Sequence, residues 1–164
     1  MSIAILPGDR VHRAAIWRIL EPVLRAGETY ALPRYWSRRE ALRFWFAPHH
    51  SVFVAVVDGS VLGTYYFQAN QLGGGSHVAN CGYVTEPCAT GRGVARAMCA
   101  HSLEVAGHRG FRAMQFNCVV STNTRAIALW QGLGFSVTGV LPQAFEHPRL
   151  GFVDALVMFR TLSV

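Results

Sequence analysis

HVANCGYVTEPCATGRGVARAM, residues 77–98, changes character once along its length. HVANCGYVT reads as a strand, Pro87 interrupts it, and beyond Gly91 and Gly93 an alanine-rich run has helical character. A strand that turns through glycines into a helix points to an α/β chain. A helix N-terminus offers unsatisfied amide donors and the positive end of its dipole, and glycines let an anion approach that backbone closely. The loop therefore has a physical reason to hold a phosphate, although paired glycines also arise where a tight turn needs positive φ.

Upstream, SIAIL (residues 2–6) is expected to be a first strand. Pro7-Gly8-Asp9 then turns into a segment whose apolar residues Val11, Ala14, Ala15, Ile16, Ile19 and Leu20 recur at helical spacing. Ser37 with Glu40 three residues later is a capping box that opens a short helix through Ala41, Leu42, Phe44 and Trp45. SVFVAVV and SVLGTYYFQ, joined at Asp58-Gly59, form a β-hairpin, and QLGGGS follows as a flexible loop. Downstream come a strand at FRAMQFNCVV, a helix at NTRAIALWQGL, a strand at GFSVTGV and a last strand near GFVDALVMFR. No repeat or linker divides the chain, so residues 1–164 are expected to form one domain around a mixed α/β sheet.

The net charge of +6 comes from fifteen arginines and not one lysine. That absence removes Schiff-base chemistry, a pyridoxal anchor and a Walker-type phosphate lysine. Arginine still suits phosphate through its planar fork. A Rossmann fingerprint fails as well: no third glycine follows Gly93 at the right spacing, and residues 111–116 contain no acid. Cys81, Cys88, Cys99 and Cys118 show no zinc spacing and are expected to be reduced, buried small hydrophobes, with no metal bound. The arginines are scattered without a nucleic-acid motif, and no stretch approaches the ~20 apolar residues of a membrane span. The opening MSIAILPGDR lacks the features of a secretory signal. A cytoplasmic protein with neither a nucleic-acid nor a membrane partner is expected.

Asn123 opens the later helix, whose face Ala126, Ile127, Leu129, Trp130 and Leu133 is apolar, and Gly132 or Gly134 closes it. Taken together, TEPCATGRGVA (residues 85–95) and the residues Asn123, Ala126, Leu129, Trp130, Gly134 and Phe135 resemble two linked motifs of one family. These are the acetyl-CoA loop and the N-x-x-A-x-x-L-Y-x-x-x-G-F helix of the GCN5-related N-acetyltransferases (GNAT). The resemblance implies a single-domain mixed α+β fold. Its sheet would be mostly antiparallel, of about seven strands, with a splay between the fourth and fifth and about four flanking helices.

The resemblance also implies acetyl-CoA as cosubstrate. The amides of Thr90, Gly91, Arg92, Gly93, Val94 and Ala95 would hold its pyrophosphate, with Arg92, Arg96 and Arg125 near enough in sequence to neutralise phosphates. Val84 and Thr85, at a splay or bulge, would pair with the pantetheine arm, and Asn123 and Trp130 would lie near the thioester. Two departures matter. Thr90 stands where the family usually has Arg or Gln, and Trp130 stands where it has the tyrosine thought to return a proton to the thiolate.

The chemistry expected is direct attack of a neutral amine on the thioester. Where relatives often carry a carboxylate, the strands offer Asn80 and Asn117. With Asn123 these amides are the candidate catalytic residues, orienting the acceptor rather than acting as a strong base; the alternative for Asn80 and Asn117 is a satisfied structural pair. Glu86 and His77 are alternative bases. HVANCGY, GTYY and GETYAL are similar to the branch with fungal azetidine-2-carboxylate acetyltransferases, implying a small amino or imino acid, or a toxic analogue, as acceptor. Tyr30, Arg34, Tyr35 and Trp36, with LPQAFEHPRLGF before the last strand, would set specificity, together with Asn80; Asp154 would order that strand or touch substrate. Protein or peptide acetylation and a non-catalytic acyl-CoA-binding module are the competing readings, and a homodimer is left open.

Overall fold

Asp58 and Gly59 both take positive φ, 48° and 76°, as a two-residue hairpin turn requires. They join β2 (Ser51–Val57) to β3 (Ser60–Ala69), and β1 (Ile3–Pro7) pairs antiparallel with the other edge of β2. The computed structural model describes residues 2–162. It arranges β1–β3 with β4 (Val78–Thr85), β5 (Ala113–Val120), β6 (Ser136–His147) and β7 (Gly151–Thr161) in one seven-stranded sheet of order β1-β2-β3-β4-β5-β7-β6. All neighbours are antiparallel except β4 and β5.

β4 and β5 pair only at Val78↔Ala113 and Ala79↔Met114. Beyond those two pairs the strands part, which is the splay expected between the fourth and fifth strands. The bulge lies in β5, where the register against β7 shifts between Phe116 and Val119; β4 itself pairs with β3 without a shift.

Four helices cover the sheet: α1 (Arg13–Ala26), α2 (Arg38–Trp45), α3 (Val94–His108) and α4 (Thr124–Gln131). The Ser37–Glu40 capping box forms as expected. On one face Ile16, Ile19, Leu20, Leu42 and Trp45 pack against Val52, Val54, Tyr66 and Val84. On the other, Val94, Met98, Cys99 and Trp130 pack against Tyr65, Phe67, Cys81, Met114 and Phe116. Alternate residues of β3 and β4 thus feed opposite cores, as the period of a strand dictates.

Three expectations change. Residues 141–147, read as a segment before the last strand, extend β6 to His147. Part of QLGGGS is ordered as a 3-10 turn, Gly73–Gly75. Cys81 and Cys99 are buried, but Cys88 and Cys118 are exposed, and all four are free. Among the described residues no helix is long and apolar enough to cross a membrane.

Candidate active site

The splay opens a cavity of about 740 Å³ between β4 and β5. Its walls are the two parted strands, the loop before α3, the start of α4 and residues 29–32 of the α1–α2 loop. Past Ala79, β4 keeps β3 on one side and has no strand on the other. Its backbone edge is available to an extended ligand that pairs like an added strand.

At the α3 end, a 3-10 turn (Pro87–Ala89) follows β4. The amides of Thr90 and Arg92 are spent inside this turn, donating to Pro87 and Ala89 carbonyls at 3.2 and 3.1 Å. Among the described residues, the amides of Gly91, Gly93, Val94 and Ala95 have no backbone partner. Four donors therefore remain of the six expected. Gly91 and Gly93 have φ of 79° and 80°, and a Cβ on either would meet nothing within 4 Å. Backbone conformation, not crowding, requires glycine at both positions. Arg96 and Arg125 line the cavity, whereas Arg92 is exposed and outside its walls.

Asn80, Asn117 and Asn123 all line the cavity, each with partners. Buried Asn80 accepts from the Gln68 amide at 3.2 Å, and its Nδ2 donates across the splay to the Gln115 carbonyl at 3.0 Å. Asn117 accepts from Gln115 at 2.8 Å and donates to Asn70 at 2.7 Å. Asn123 caps α4, its Oδ1 accepting from Ala126 N–H at 3.3 Å. Asn80 and Asn117 tie the parted strands, Asn123 caps the helix beside them, and all three line the cavity.

Gly82, mid-strand in β4, marks where the α1–α2 loop lies down on the sheet. A Cβ there would come within 2.5 Å of both the Tyr30 hydroxyl and Tyr66 Cε1. The Tyr30 hydroxyl donates to the Tyr83 carbonyl at 3.3 Å. Burial holds its pKa well above the usual 10.0 and pushes that of Tyr66 up to about 12, so both phenols remain donors. Opposite them, Trp130 lies 5.1 Å from the Tyr83 ring and 5.2 Å from Phe116, and Phe116 stacks on Phe135. This aromatic floor offers packing and no acidic hydroxyl at position 130.

Tyr30, Asn80, Val84, Thr85, Thr90, Gly91, Gly93, Val94, Ala95, Asn117, Asn123 and Trp130 meet in one cavity. Arg34 and Tyr35 do not. Arg34 turns back to donate to the Arg25 carbonyl at 3.0 and 2.8 Å, packing over Gly27, and Tyr35 is 86% exposed. Glu86 is tied to Arg18 at 3.4 Å, and exposed His77 lies outside the walls, so neither alternative base reaches the cavity. Asp154 accepts from the Gln143 amide at 2.9 Å and orders β6. Tyr66, Tyr83, Phe116 and Cys118 also form walls without having been singled out. Only the glycine interrupting an aromatic strand, Gly82 beside Tyr83, signals their proximity.

The sequence profile of the Acetyltransferase (GNAT) family matches residues 13–135. The N-acetyltransferase aca1 of Schizosaccharomyces pombe is 29% identical over 151 residues, spanning 82% of this chain and 72% of that protein. The structure of a GCN5-related N-acetyltransferase from Kribbella flavida is 41% identical and superposes with a TM-score of 0.93 over 98% of each chain. A putative acetyltransferase from Salmonella typhimurium, solved with its cofactor acetyl-CoA, shares the fold at 22% identity, with a TM-score of 0.86 over 100% of this chain and 96% of its own. On the strength of the family match and the open splay that the two motifs flank, the chain belongs to the GNAT family and is an N-acetyltransferase.

Proposed function

We propose that this enzyme moves the acetyl group of acetyl-CoA to the amine of a small amino or imino acid, with residues 1–164 acting as one domain. The observation that carries the reading is the splay itself, an unpaired β4 edge that ends at four unspent amides and runs under a loop anchored by Tyr30. The amides of Gly91, Gly93, Val94 and Ala95 suit a pyrophosphate, with Arg96 and Arg125 adding charge. The backbone edge near Val84 and Thr85 suits the pantetheine amides.

Acetyl-CoA supplies an activated acyl carbon: the C–N bond forms, the C–S bond breaks, and the thiol leaves. The chain supplies position and dryness. Asn80 uses Nδ2 to donate to Gln115, and its remaining amide proton can orient the acceptor or a water. Asn117 and Asn123 stand on the same walls. Trp130 lines the cavity without an acidic hydroxyl, so the amine would lose its proton to solvent and the departing thiolate would take one from solvent. An ion pair of 2.8 Å between Glu28 and Arg149 bridges the α1–α2 loop to the β6–β7 turn. A bridge across that rim favours a compact acceptor over a peptide, which needs an open groove.

Thiol release from acetyl-CoA, followed with a panel of amino and imino acids, simple amines and peptides, is the deciding measurement. Turnover confined to small acids is expected. Faster turnover with peptides would replace this reading with protein acetylation, and binding without turnover on any amine would make the chain an acyl-CoA-binding module.

A further inference from the structure

A second recess of about 570 Å³ adjoins the main cavity, lined by Glu28, Thr29, Thr122, Asn123, His147 and Arg149, with Leu150 at its edge. Thr29 and Asn123 line both spaces, so the two adjoin at that rim. His147, at the end of β6, is only 5% exposed. Its Nδ1 accepts the Arg149 N–H at 3.2 Å, which places the ring proton on Nε2. Among the described residues, no protein group bonds Nε2, and no fully buried side-chain nitrogen or oxygen lacks a partner. Nε2–H is therefore a donor that the solvent of the recess reaches.

Arg149 uses Nη2 to meet Glu28. A guanidinium has five N–H donors, so this one contact leaves a further edge for a planar, two-oxygen partner. The planar fork of Arg149, with the neighbouring His147 donor, suits the two oxygens of a carboxylate.

We propose that this recess is a carboxylate subsite, in which Arg149 and the Nε2–H of His147 hold the carboxylate of the acceptor. The acceptor's nitrogen, two bonds from its carboxylate carbon in an α-amino or imino acid, then lies at the Thr29–Asn123 rim, facing the splay. The inference rests on the acetyl-transfer reading above and names the feature of the acceptor that the enzyme selects. His147 and Arg149 are specificity residues here; neither takes part in the bond changes.

The test uses the full chain saturated with CoA, titrated calorimetrically with proline, prolinamide and pyrrolidine, alongside acetyl-CoA turnover on the same three. Proline should bind at least about tenfold more tightly than prolinamide, a difference worth about 1.4 kcal/mol. Arg149→Ala should bring the two within about twofold of each other, and should raise KM for proline while kcat stays within about threefold, the pattern of lost ground-state binding. Arg149→Lys, which keeps charge without the fork, should fall between, and His147→Gln should weaken proline binding less than His147→Ala. Arg149 lies on an exposed turn, so its variants test the idea even if those at His147 fold poorly.

Wild-type protein that binds proline no better than prolinamide, or Arg149→Ala that keeps the preference, would overturn the subsite. Selective binding of proline without thiol release on any acid would overturn the acetyl-transfer reading and leave the subsite standing.

Discussion

A Cβ on Gly82 would collide at 2.5 Å with two groups at once, the Tyr30 hydroxyl and the edge of the Tyr66 ring. The hydroxyl is the tip of a loop side chain and can retreat. Tyr66 cannot do so easily, because it is packed edge-on by Trp45 and Phe44 and stacked on His50. Gly82→Ala should therefore cost about 1–3 kcal/mol, the usual penalty of overpacking, seen as a lower urea midpoint. It should also lower turnover more than acetyl-CoA affinity, because Tyr30 moves with the loop. Trp130 calls for the opposite kind of substitution. Its contacts are aromatic packing, so Trp130→Phe should retain turnover, while Trp130→Ala should lose about 3–5 kcal/mol to the void it leaves. A collapse of kcat in the Phe variant, with stability intact, would assign the indole N–H a part in the reaction. Asn80 is legible as an amide in an otherwise apolar strand, whereas Tyr30 is pointed to only by the family resemblance of its loop. The same reading misplaced Arg34, because the end of α1 offers it the unsatisfied Arg25 carbonyl, a partner that spacing alone does not reveal.

The splay is a property of an element pair, and Asn80 is the side chain that spans it. Gln68, Asn80 and the Gln115 carbonyl tie β3, β4 and β5 together just beyond the last ladder pair. Asn80→Ala removes both bonds at a site only 6% exposed and should cost about 1–3 kcal/mol for the groups left unpaired. Asn80→Asp should cost more, since it sets a carboxylate against the Gln115 carbonyl. If the amide also orients the acceptor, Asn80→Ala will lower kcat far more than it weakens acetyl-CoA binding. Equal losses would reduce Asn80 to a brace. The order of elements was legible in the sequence because hydrophobic period and turn residues are local signals, and the Asp58-Gly59 hairpin and the Ser37 capping box are clear instances. The length of β6 was not. Pro142 makes LPQAFEH read as a loop, and only its place on the sheet's outer edge, where a missing N–H need not break a ladder, lets the strand continue. That extension delivers His147 and Arg149 to the mouth of the site.

At the scale of the molecule, the sheet separates two cores, and each carries a histidine whose protonation opposes folding. His50 stacks on Tyr66 at 4.1 Å on the α1–α2 side, with Nδ1 3.1 Å from the Trp45 carbonyl. His101 of α3, on the other side, meets the Tyr65 hydroxyl through Nδ1 at 2.6 Å. Desolvation lowers both pKa values below the ordinary 6.5, outweighing the opposing pull of backbone hydrogen bonds at His50 and of Glu104 at His101. Since these pKa values are lower folded than unfolded, the unfolded chain binds more protons as pH falls through 6.5. The stability these neutral rings contribute is complete above 6.5. It is lost as pH drops from there through the folded values. The Ser37 hydrogen bonds to Glu40 lower that carboxylate from 4.5, so its contribution disappears only in a more acidic window. Urea midpoints should therefore fall between pH 8 and pH 5, and His50→Gln and His101→Gln should each flatten the decline, with glutamine at 101 able to accept from Tyr65 in place of the ring. A decline as steep in the double variant as in the wild type would remove both histidines as its source. Because acetyl-CoA binds only the folded chain, saturating it should raise the midpoint at both pH values. The difference between pH 8 and pH 5 should persist, since both rings lie outside the walls of the cavity.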